Sequence, residues 1–338
     1  MRCGMTMRFS PTRVQADLSE WPTFEAYMAR GVDRLHLNLR GPSRRAKIIQ
    51  CENFNTHQSL GKTHLATADN TVSHKSTMGS SVNRYDPRNI ETMELVYGKG
   101  YMSAGGDAEV ARIVTGIKIR DQQLLDIGCG LGGAAISLVK DHHARHVDAL
   151  DIDDDIIRRA GELIEATDMD DRITLTRFDG GALPYHSDQF DVIYLTATSC
   201  HLEDLYGFFS EIHRVLRCGG WVVGGEWFKA ADNSAYRDWD SLLRERGLNF
   251  YFVCRSHFET TLSKSGFGSV SVVDRTQATT DLARGYLDRV KTELKDTLRA
   301  KLGNKDLEAF LNWTRGRYEC FANGGMAYGH FRAFKVET

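Results

Sequence analysis

The chain has 338 residues, of which 41% are hydrophobic and 10% aromatic, so it is long and apolar enough to bury a large globular core. Its 43 basic and 45 acidic residues give a net charge of −2, which excludes the strongly positive field typical of nucleic-acid and anionic-membrane binders. The seven cysteines are scattered without a CxxC pair, and no apolar stretch is long enough to span a membrane. We therefore expect a soluble cytoplasmic protein with no metal, whose partners are small molecules rather than nucleic acid or membrane.

The composition and the helix and strand patterns of the sequence divide the chain into three parts. Residues 1–80 mix short apolar groups with basic residues and end in a polar stretch, which predicts an N-terminal arm or cap and a candidate homodimerisation element. Residues 81–230 alternate helical and strand patterns and form the predicted core. Residues 231–338 are expected to supply a cap over the substrate and the closing strands of the same fold.

Short apolar strands alternate with helical segments across the core. "QLLDIG", "HVDALDI", "RITLTRFD", "FDVIYLTA" and "GGWVVGGEW" have strand character, and "DDIIRRAGELIEATD" and "LYGFFSEIHRVLR" have helical spacing between them. This alternation predicts an α/β fold with a doubly wound, mostly parallel, Rossmann-like sheet and ligands at the carboxyl ends of its strands. Beyond it, we expect a long helical region over 280–312 and a closing strand pair or edge strand in "NGGMAYGHFRAFKV".

The stretch "LLDIGCGLGGAA" (124–135) places a glycine-rich turn directly after the first strand of the core. It satisfies both G-x-G-x-x-G and G-x-G-x-G, so Gly128 and Gly130 fit either a dinucleotide or S-adenosylmethionine (SAM). Asp126 lies two residues before the first glycine, where a carboxylate would repel a pyrophosphate but could hold the amino group of a methionyl moiety. This residue favours SAM.

Acidic residues also follow the next two strands. Asp151 stands where a carboxylate accepts hydrogen bonds from both ribose hydroxyls, a geometry that serves NAD as well. Asp179 is predicted to accept a hydrogen bond from the adenine amino group, with Ile152 or Phe178 packing on the ring. Gly180 and Thr196, at the third and fourth strand ends, complete this set of predicted cofactor contacts.

These residues resemble the class I SAM-dependent methyltransferases over about 95–230. A narrower likeness lies in "YGKGYMSAGG" (97–106), which is similar to a segment that precedes the SAM turn in phosphoethanolamine N-methyltransferases. The resemblance implies that Tyr101 and Ser103 line the cofactor pocket. It also implies that Tyr85 and His201 form the catalytic pair of that family and contact the substrate.

The sequence departs from the phosphoethanolamine N-methyltransferases at the acceptor. Arg246 keeps the family's substrate-binding arginine, but Trp227, Leu242 and Leu248 stand where phosphate-binding tyrosines are expected, and Ala197 replaces an aspartate. The carboxyl end offers no matching lysine. An arginine with apolar neighbours suits a small carboxylate that has a sulfur-bearing end, with Arg246 on the carboxylate and Trp227 near the sulfur.

That description is similar to the methylthiohydroxybutyrate S-methyltransferases of dimethylsulfoniopropionate synthesis. The resemblance implies S-methylation of 4-methylthio-2-hydroxybutyrate by SAM, with S-adenosylhomocysteine as the second product. Three alternatives stay open: an N-methyltransferase of phosphoethanolamine or another small amine, an NAD-dependent oxidoreductase, and a SAM-binding protein without activity.

Two further groups of residues have simpler interpretations. The aromatic residues of "NFYFVCRSHF", together with Trp313 and Tyr328, are predicted to be core, since aromatic side chains in helices and strands usually pack inside. The histidines of "DHHARH" precede a strand at the end of the sheet opposite the ligands. They are predicted to lie at a solvated helix end rather than on a metal.

Overall fold

The computed structural model describes residues 87–245 and 247–336. The predicted arm (1–80), Tyr85 and Arg246 lie outside this part of the chain. The strands are β1 (Gln123–Ile127), β2 (His146–Asp151), β3 (Ile173–Arg177), β4 (Phe190–Thr196), β5 (Leu216–Lys229), β6 (Gly268–Asp274) and β7 (Met326–Phe334).

Helices separate the strands along the chain. They are α1 (Pro87–Tyr97), α2 (Gly106–Ile113), α3 (Gly133–Lys140), α4 (Asp154–Glu165), α5 (Leu205–Val215), α6 (Ser234–Glu245), α7 (Arg255–Lys264), α8 (Thr276–Lys291) and α9 (Lys295–Ala322), and a 3₁₀ helix spans Ser199–His201. The predicted helical region over 280–312 is confirmed, and it is divided between α8 and α9. A second break lies at Gly303, whose φ of 77° and ψ of 171° interrupt α9.

The strands form one seven-stranded sheet in the order β3-β2-β1-β4-β5-β7-β6. Strands β1 to β5 are parallel, and β7 runs antiparallel between β5 and β6. The predicted doubly wound, mostly parallel sheet is therefore confirmed. The expectation of a closing strand pair or edge strand at the carboxyl end needs correction, since β7 lies inside the sheet and β6 forms the edge.

Two apolar layers cover the two faces of the sheet. One contains Phe209 of α5 and Phe258 of α7, and the other contains Val110 of α2 and Leu138 of α3. Both faces are buried, as expected for parallel strands joined by helical crossovers. Strand order reverses between β1 and β4, so the crevice at their carboxyl ends is where this architecture places a ligand. No helix in the described part of the chain is both long and apolar enough to cross a membrane.

Candidate active site

A cavity of about 1510 Å³ opens at the carboxyl ends of β1, β2, β4 and β5. Residues of α1 and α9 form its opposite wall. A site for one small ligand typically occupies ~300–1,000 Å³, so this cavity has room for two. Of the sequence-predicted site residues that the structure describes, all but one line it: Tyr101, Ser103, Asp126, Gly128, Gly130, Asp151, Ile152, Gly180, Thr196, His201 and Trp227.

The glycine turn shows why the sequence fits two glycine patterns at once. Gly128, Gly130 and Gly132 all have positive φ, which only glycine adopts without strain. Gly133 must be a glycine for another reason. A Cβ added there would lie 2.6 Å from the Gly100 carbonyl oxygen and 2.9 Å from the Tyr101 ring. The segment before α2 therefore packs directly on the turn.

Asp151 ties the end of β2 to this turn. Its Oδ2 accepts a hydrogen bond from the Gly130 N–H (2.9 Å), and its Oδ1 accepts from the Ile152 N–H (2.8 Å) and the Asp153 N–H (3.3 Å). The carboxylate lines the cavity beside the turn. It lies where the ribose hydroxyls of a nucleoside-containing ligand would donate hydrogen bonds to it.

Asp126, at the end of β1, is only 2% exposed, and its Oδ2 has no hydrogen-bond partner within the described chain. Burial, reinforced by the nearby charge of Asp151, raises the pKa of Asp126 to about 8. A buried carboxylate without a partner is costly. A cationic group bound in the cavity would offset that cost, so the site fits a ligand that carries an ammonium.

Asp179, predicted to contact the adenine, lies outside the set of residues that line the cavity. The side chain of Asp179 is 73% exposed, pairs with Arg177 Nη1 at 3.3 Å, and does not line the cavity. Gly180 and Gly181 follow it with positive φ, and both of these glycines line the cavity. Phe178 and Ile152 do line the cavity, as predicted for residues that pack on a flat ring.

The other end of the cavity is walled by aromatic rings. Phe250 and Phe252 stack with their centroids 5.0 Å apart, and Trp227 stacks on Trp239 at 5.6 Å. The ring of His201 lies 4.5 Å from that of Phe250. These five residues line the cavity and form what we call the aromatic wall.

Several core predictions therefore need correction. Phe250, Phe252 and Trp313 line the cavity instead of packing wholly inside, whereas Phe258 and Tyr328 are buried core residues as expected. Tyr251 is exposed. Leu242 does not line the cavity, although the adjacent Leu243 does. Loop residues 247–254 have no strand or helix of their own, so periodicity offered no signal for their orientation.

Charged residues that sequence analysis missed also line the cavity. Lys305 and Arg88 are the basic residues among those described there. Glu109 lies 2.6 Å from His330 Nε2 and 3.0 Å from Arg112 Nη1. Burial alone would raise the pKa of Glu109, but these partners outweigh it and lower the pKa. Both Lys305 and Glu109 sit on helices, where a charged residue is usually on the solvated face.

The described part of the chain contains no candidate metal site. No group of three or more histidine, cysteine, aspartate or glutamate side chains converges there as metal ligands would. The cysteines within the described ranges are all free thiols: Cys129, Cys200, Cys218, Cys254 and Cys320.

Comparison with known proteins defines the class. Residues 125–224 match the model of a methyltransferase domain family. This segment contains the glycine turn, Asp151 and strands β2 to β4, and the sheet order is that of the class I methyltransferase fold. Residues 125–224 therefore match a methyltransferase domain, and the fold around them is the Rossmann-like class I methyltransferase fold.

Within that class the chain is similar to phosphoethanolamine N-methyltransferases. It is 24% identical to phosphoethanolamine N-methyltransferase 1 of Zea mays over 253 residues, which cover 75% of this chain and 49% of that protein. The Haemonchus contortus phosphoethanolamine N-methyltransferase 2, solved with phosphomonomethylethanolamine and S-adenosylhomocysteine, has a TM-score of 0.69 at 22% identity, over 75% of this chain and 59% of that one. A sterol 24-C-methyltransferase of Gibberella zeae is 36% identical over 105 residues, 31% of this chain and 27% of that protein. The chain thus spans about half the length of the curated phosphoethanolamine methyltransferases it matches.

Proposed function

We propose that this protein is an enzyme that transfers a methyl group from SAM to a small polar metabolite. The buried carboxylate of Asp126, whose Oδ2 has no hydrogen-bond partner in the described chain, lies beside the glycine turn and Asp151 in one cavity, and this observation carries the proposal. Asp126 would hold the methionyl ammonium, and Asp151 the ribose hydroxyls. When SAM is bound, its sulfonium supplies an activated methyl group.

For the acceptor we propose a thioether, with 4-methylthio-2-hydroxybutyrate as the first candidate. The aromatic wall supports this choice, because thioether sulfur packs favourably on aromatic rings and the sulfonium product is attracted to their faces. A thioether carries no proton, so the site needs alignment and exclusion of water rather than a strong base. Arg246 is proposed to pair with the carboxylate, and Tyr85 and His201 to orient the acceptor.

Phosphoethanolamine or another small amine is the second candidate acceptor. The similarity to named phosphoethanolamine N-methyltransferases over three quarters of the chain supports it. An amine must lose a proton, which Tyr85 and His201 would accept in this case. An NAD-dependent oxidoreductase finds less support, because Asp126 would face the pyrophosphate and residues 125–224 match a methyltransferase domain.

Single-turnover transfer from methyl-labelled SAM separates these acceptors. The protein is offered 4-methylthio-2-hydroxybutyrate, methionine and phosphoethanolamine in parallel, and each product is identified by mass. A labelled sulfonium formed from the hydroxy acid supports the first candidate. Labelled N-methylphosphoethanolamine replaces it with the second, and no labelled product from any of the three rejects both.

The catalytic pair has its own test. We expect Tyr85→Phe and His201→Ala to lower kcat by at least ~10-fold while SAM affinity changes little, and Asp151→Ala to weaken SAM binding most. The readouts are kcat with the acceptor found above and SAM affinity by calorimetry. If all three variants lose SAM affinity equally, Tyr85 and His201 belong to the cofactor site and the catalytic pair is rejected.

A further inference from the structure

Glu226 is a buried carboxylate next to the cavity that the proposed reaction does not use directly. It lies in β5, is 2% exposed, and is not among the residues that line the cavity. Its Oε1 accepts a hydrogen bond from the Trp227 N–H at 2.9 Å. Its Oε2 accepts from the Ser199 N–H at 3.0 Å and from the Ser199 hydroxyl.

These bonds join two segments that both supply acceptor-site residues. Ser199 begins the 3₁₀ helix that ends at His201, and Trp227 follows Glu226 directly. His201 and Trp227 both line the aromatic end of the cavity. One side chain therefore holds the backbone beneath both of them.

The segment before the 3₁₀ helix needs such support. Ala197 has a φ of 52°, a left-handed conformation that is unfavourable for a residue with a Cβ. The Thr198 hydroxyl donates a hydrogen bond to the Ile127 carbonyl at 2.9 Å, which anchors the start of the turn to β1. The Glu226 carboxylate anchors its other side to β5.

A contribution to folding stability does not by itself explain why a carboxylate is buried at this position. Burial raises the pKa of Glu226, and the hydrogen bonds from Ser199 and Trp227 offset only part of that rise. Ser199, its main partner, is 1% exposed. Replacing a buried polar cluster of this kind by apolar side chains of similar volume is often neutral or stabilising, so a buried carboxylate here is better explained by the geometry it imposes.

We propose that Glu226 is a positioning residue, whose carboxylate fixes the Ser199–His201 segment against β5 so that His201 and Trp227 face the acceptor. This inference rests on the proposed methyl transfer. It assigns to Glu226 no contact with SAM or with the acceptor.

The test compares Glu226→Gln, Ser199→Ala and the double variant. A glutamine side chain has one acceptor oxygen and one donor amide, so it cannot accept from Ser199 and Trp227 together. We expect Glu226→Gln to lower kcat by ~10- to 100-fold, Ser199→Ala to lower it less, and the double variant to lose less than the product of the two factors. SAM affinity should stay within about twofold.

Matched controls separate positioning from a general loss of structure. Glu259→Gln makes the same chemical change on the exposed face of α7, where Glu259 pairs with Arg255 at 3.0 Å, and should leave kcat unchanged. Thermal unfolding with S-adenosylhomocysteine bound shows whether each variant is folded. If Glu226→Gln does not fold, the test rests on Ser199→Ala, which removes one hydroxyl and keeps the carboxylate. A lower kcat with unchanged SAM affinity in Ser199→Ala then supports the positioning role, and an unchanged kcat contradicts it.

A second readout does not depend on turnover. The His201 ring proton resonances sense the ring current of Phe250, whose centroid lies 4.5 Å away, and should shift in Glu226→Gln but not in Glu259→Gln. If the unchanged protein methylates no acceptor, the proposed function fails, and this readout still decides the positioning inference. Unshifted His201 resonances together with a kcat within twofold of wild type would overturn the inference, as would an equal loss of SAM affinity.

Discussion

At the scale of single residues, Asp126 sets a pH dependence. The folded, ligand-free protein holds the Asp126 proton up to about pH 8, whereas the unfolded chain releases it near pH ~3.9. The unfolded state therefore binds fewer protons between these values, and this group's contribution to stability falls as the pH rises through that window. Asp126→Asn cannot lose a proton and should show no such fall.

The measurement is thermal unfolding of both ligand-free proteins at pH 5 and pH 8.5. We expect the Tm of wild type relative to Asp126→Asn to be lower at pH 8.5 than at pH 5. SAM should bind the variant at least ~10-fold more weakly, since a hydrogen-bonded ion pair with its ammonium is worth ~1.5–3 kcal/mol. Asp141→Asn, at the carboxyl end of α3, is the control. A Tm difference that does not change with pH contradicts the prediction.

Residue positions were predictable where strand ends fix them. Asp126 and Asp151 lie at the carboxyl ends of adjacent parallel strands, and both line the cavity there. Asp179 lies beyond the end of β3 and does not line the cavity, although the two glycines that follow it do. The positioning role proposed for Glu226 could not be predicted from the sequence, because it depends on a hydrogen bond with Ser199, 27 residues away.

At the scale of elements, the contact between the glycine turn and the segment before α2 is sensitive to one methyl group. Gly133→Ala would place a Cβ 2.6 Å from the Gly100 carbonyl oxygen, and neither backbone can move away cheaply. The Gly133 N–H donates to that same oxygen at 3.1 Å. We expect the variant to separate the two segments and weaken SAM binding at least ~10-fold, or about 1.4 kcal/mol.

Gly285 in α8 is the matched control for this substitution. A Cβ added there meets nothing within 4 Å, so alanine should stabilise the helix by ~0.5–1 kcal/mol and leave SAM binding unchanged. Calorimetric titration with SAM and thermal unfolding of both variants test the pair. Unchanged SAM affinity in Gly133→Ala would show that the contact does not shape the cofactor site.

The helices and strands could be predicted from the periodicity of the sequence, but the order of the strands in the sheet could be predicted only in part. The alternation of strands and helices correctly indicated a parallel sheet, because crossover helices leave few other arrangements. The insertion of β7 between β5 and β6 depends on long-range pairing, such as Trp221 with Phe334, that local patterns do not encode. The aromatic wall was not predicted for a related reason. Phe250 and Phe252 lie in a loop, where the conformation depends on long-range packing and not on a local pattern.

At the scale of the whole molecule, homodimerisation through residues 1–80 stays a prediction. Those residues lie outside the described structure, as does Tyr85 of the proposed catalytic pair. Measuring the mass in solution of the full chain and of residues 81–338 tests it. A fragment that is still dimeric would show that the arm is not the dimerisation element.

Ligand-dependent stability of the whole molecule distinguishes the cofactor classes. A ligand that binds only the folded state stabilises it by RT ln(1 + [L]/Kd), which is ~2.7 kcal/mol at a concentration of 100 Kd. For a chain of 338 residues this corresponds to a rise in Tm of a few degrees. S-adenosylhomocysteine, which keeps the ammonium, ribose and adenine of SAM, should give this rise, and NADH at the same concentration should give none.

The contrast depends on Asp126, so the same measurement with Asp126→Asn is informative. In wild type, Asp126 ionises when the ammonium of S-adenosylhomocysteine binds beside it, whereas the pyrophosphate of NADH offers no positive partner and would be repelled by an ionised Asp126. The variant should lose most of the rise with S-adenosylhomocysteine and still not respond to NADH, because exchanging a carboxylate for an amide adds no positive charge for a pyrophosphate. A rise in Tm with NADH equal to that with S-adenosylhomocysteine would mean that the turn accepts a pyrophosphate, and the proposed methyl donor would have to be replaced.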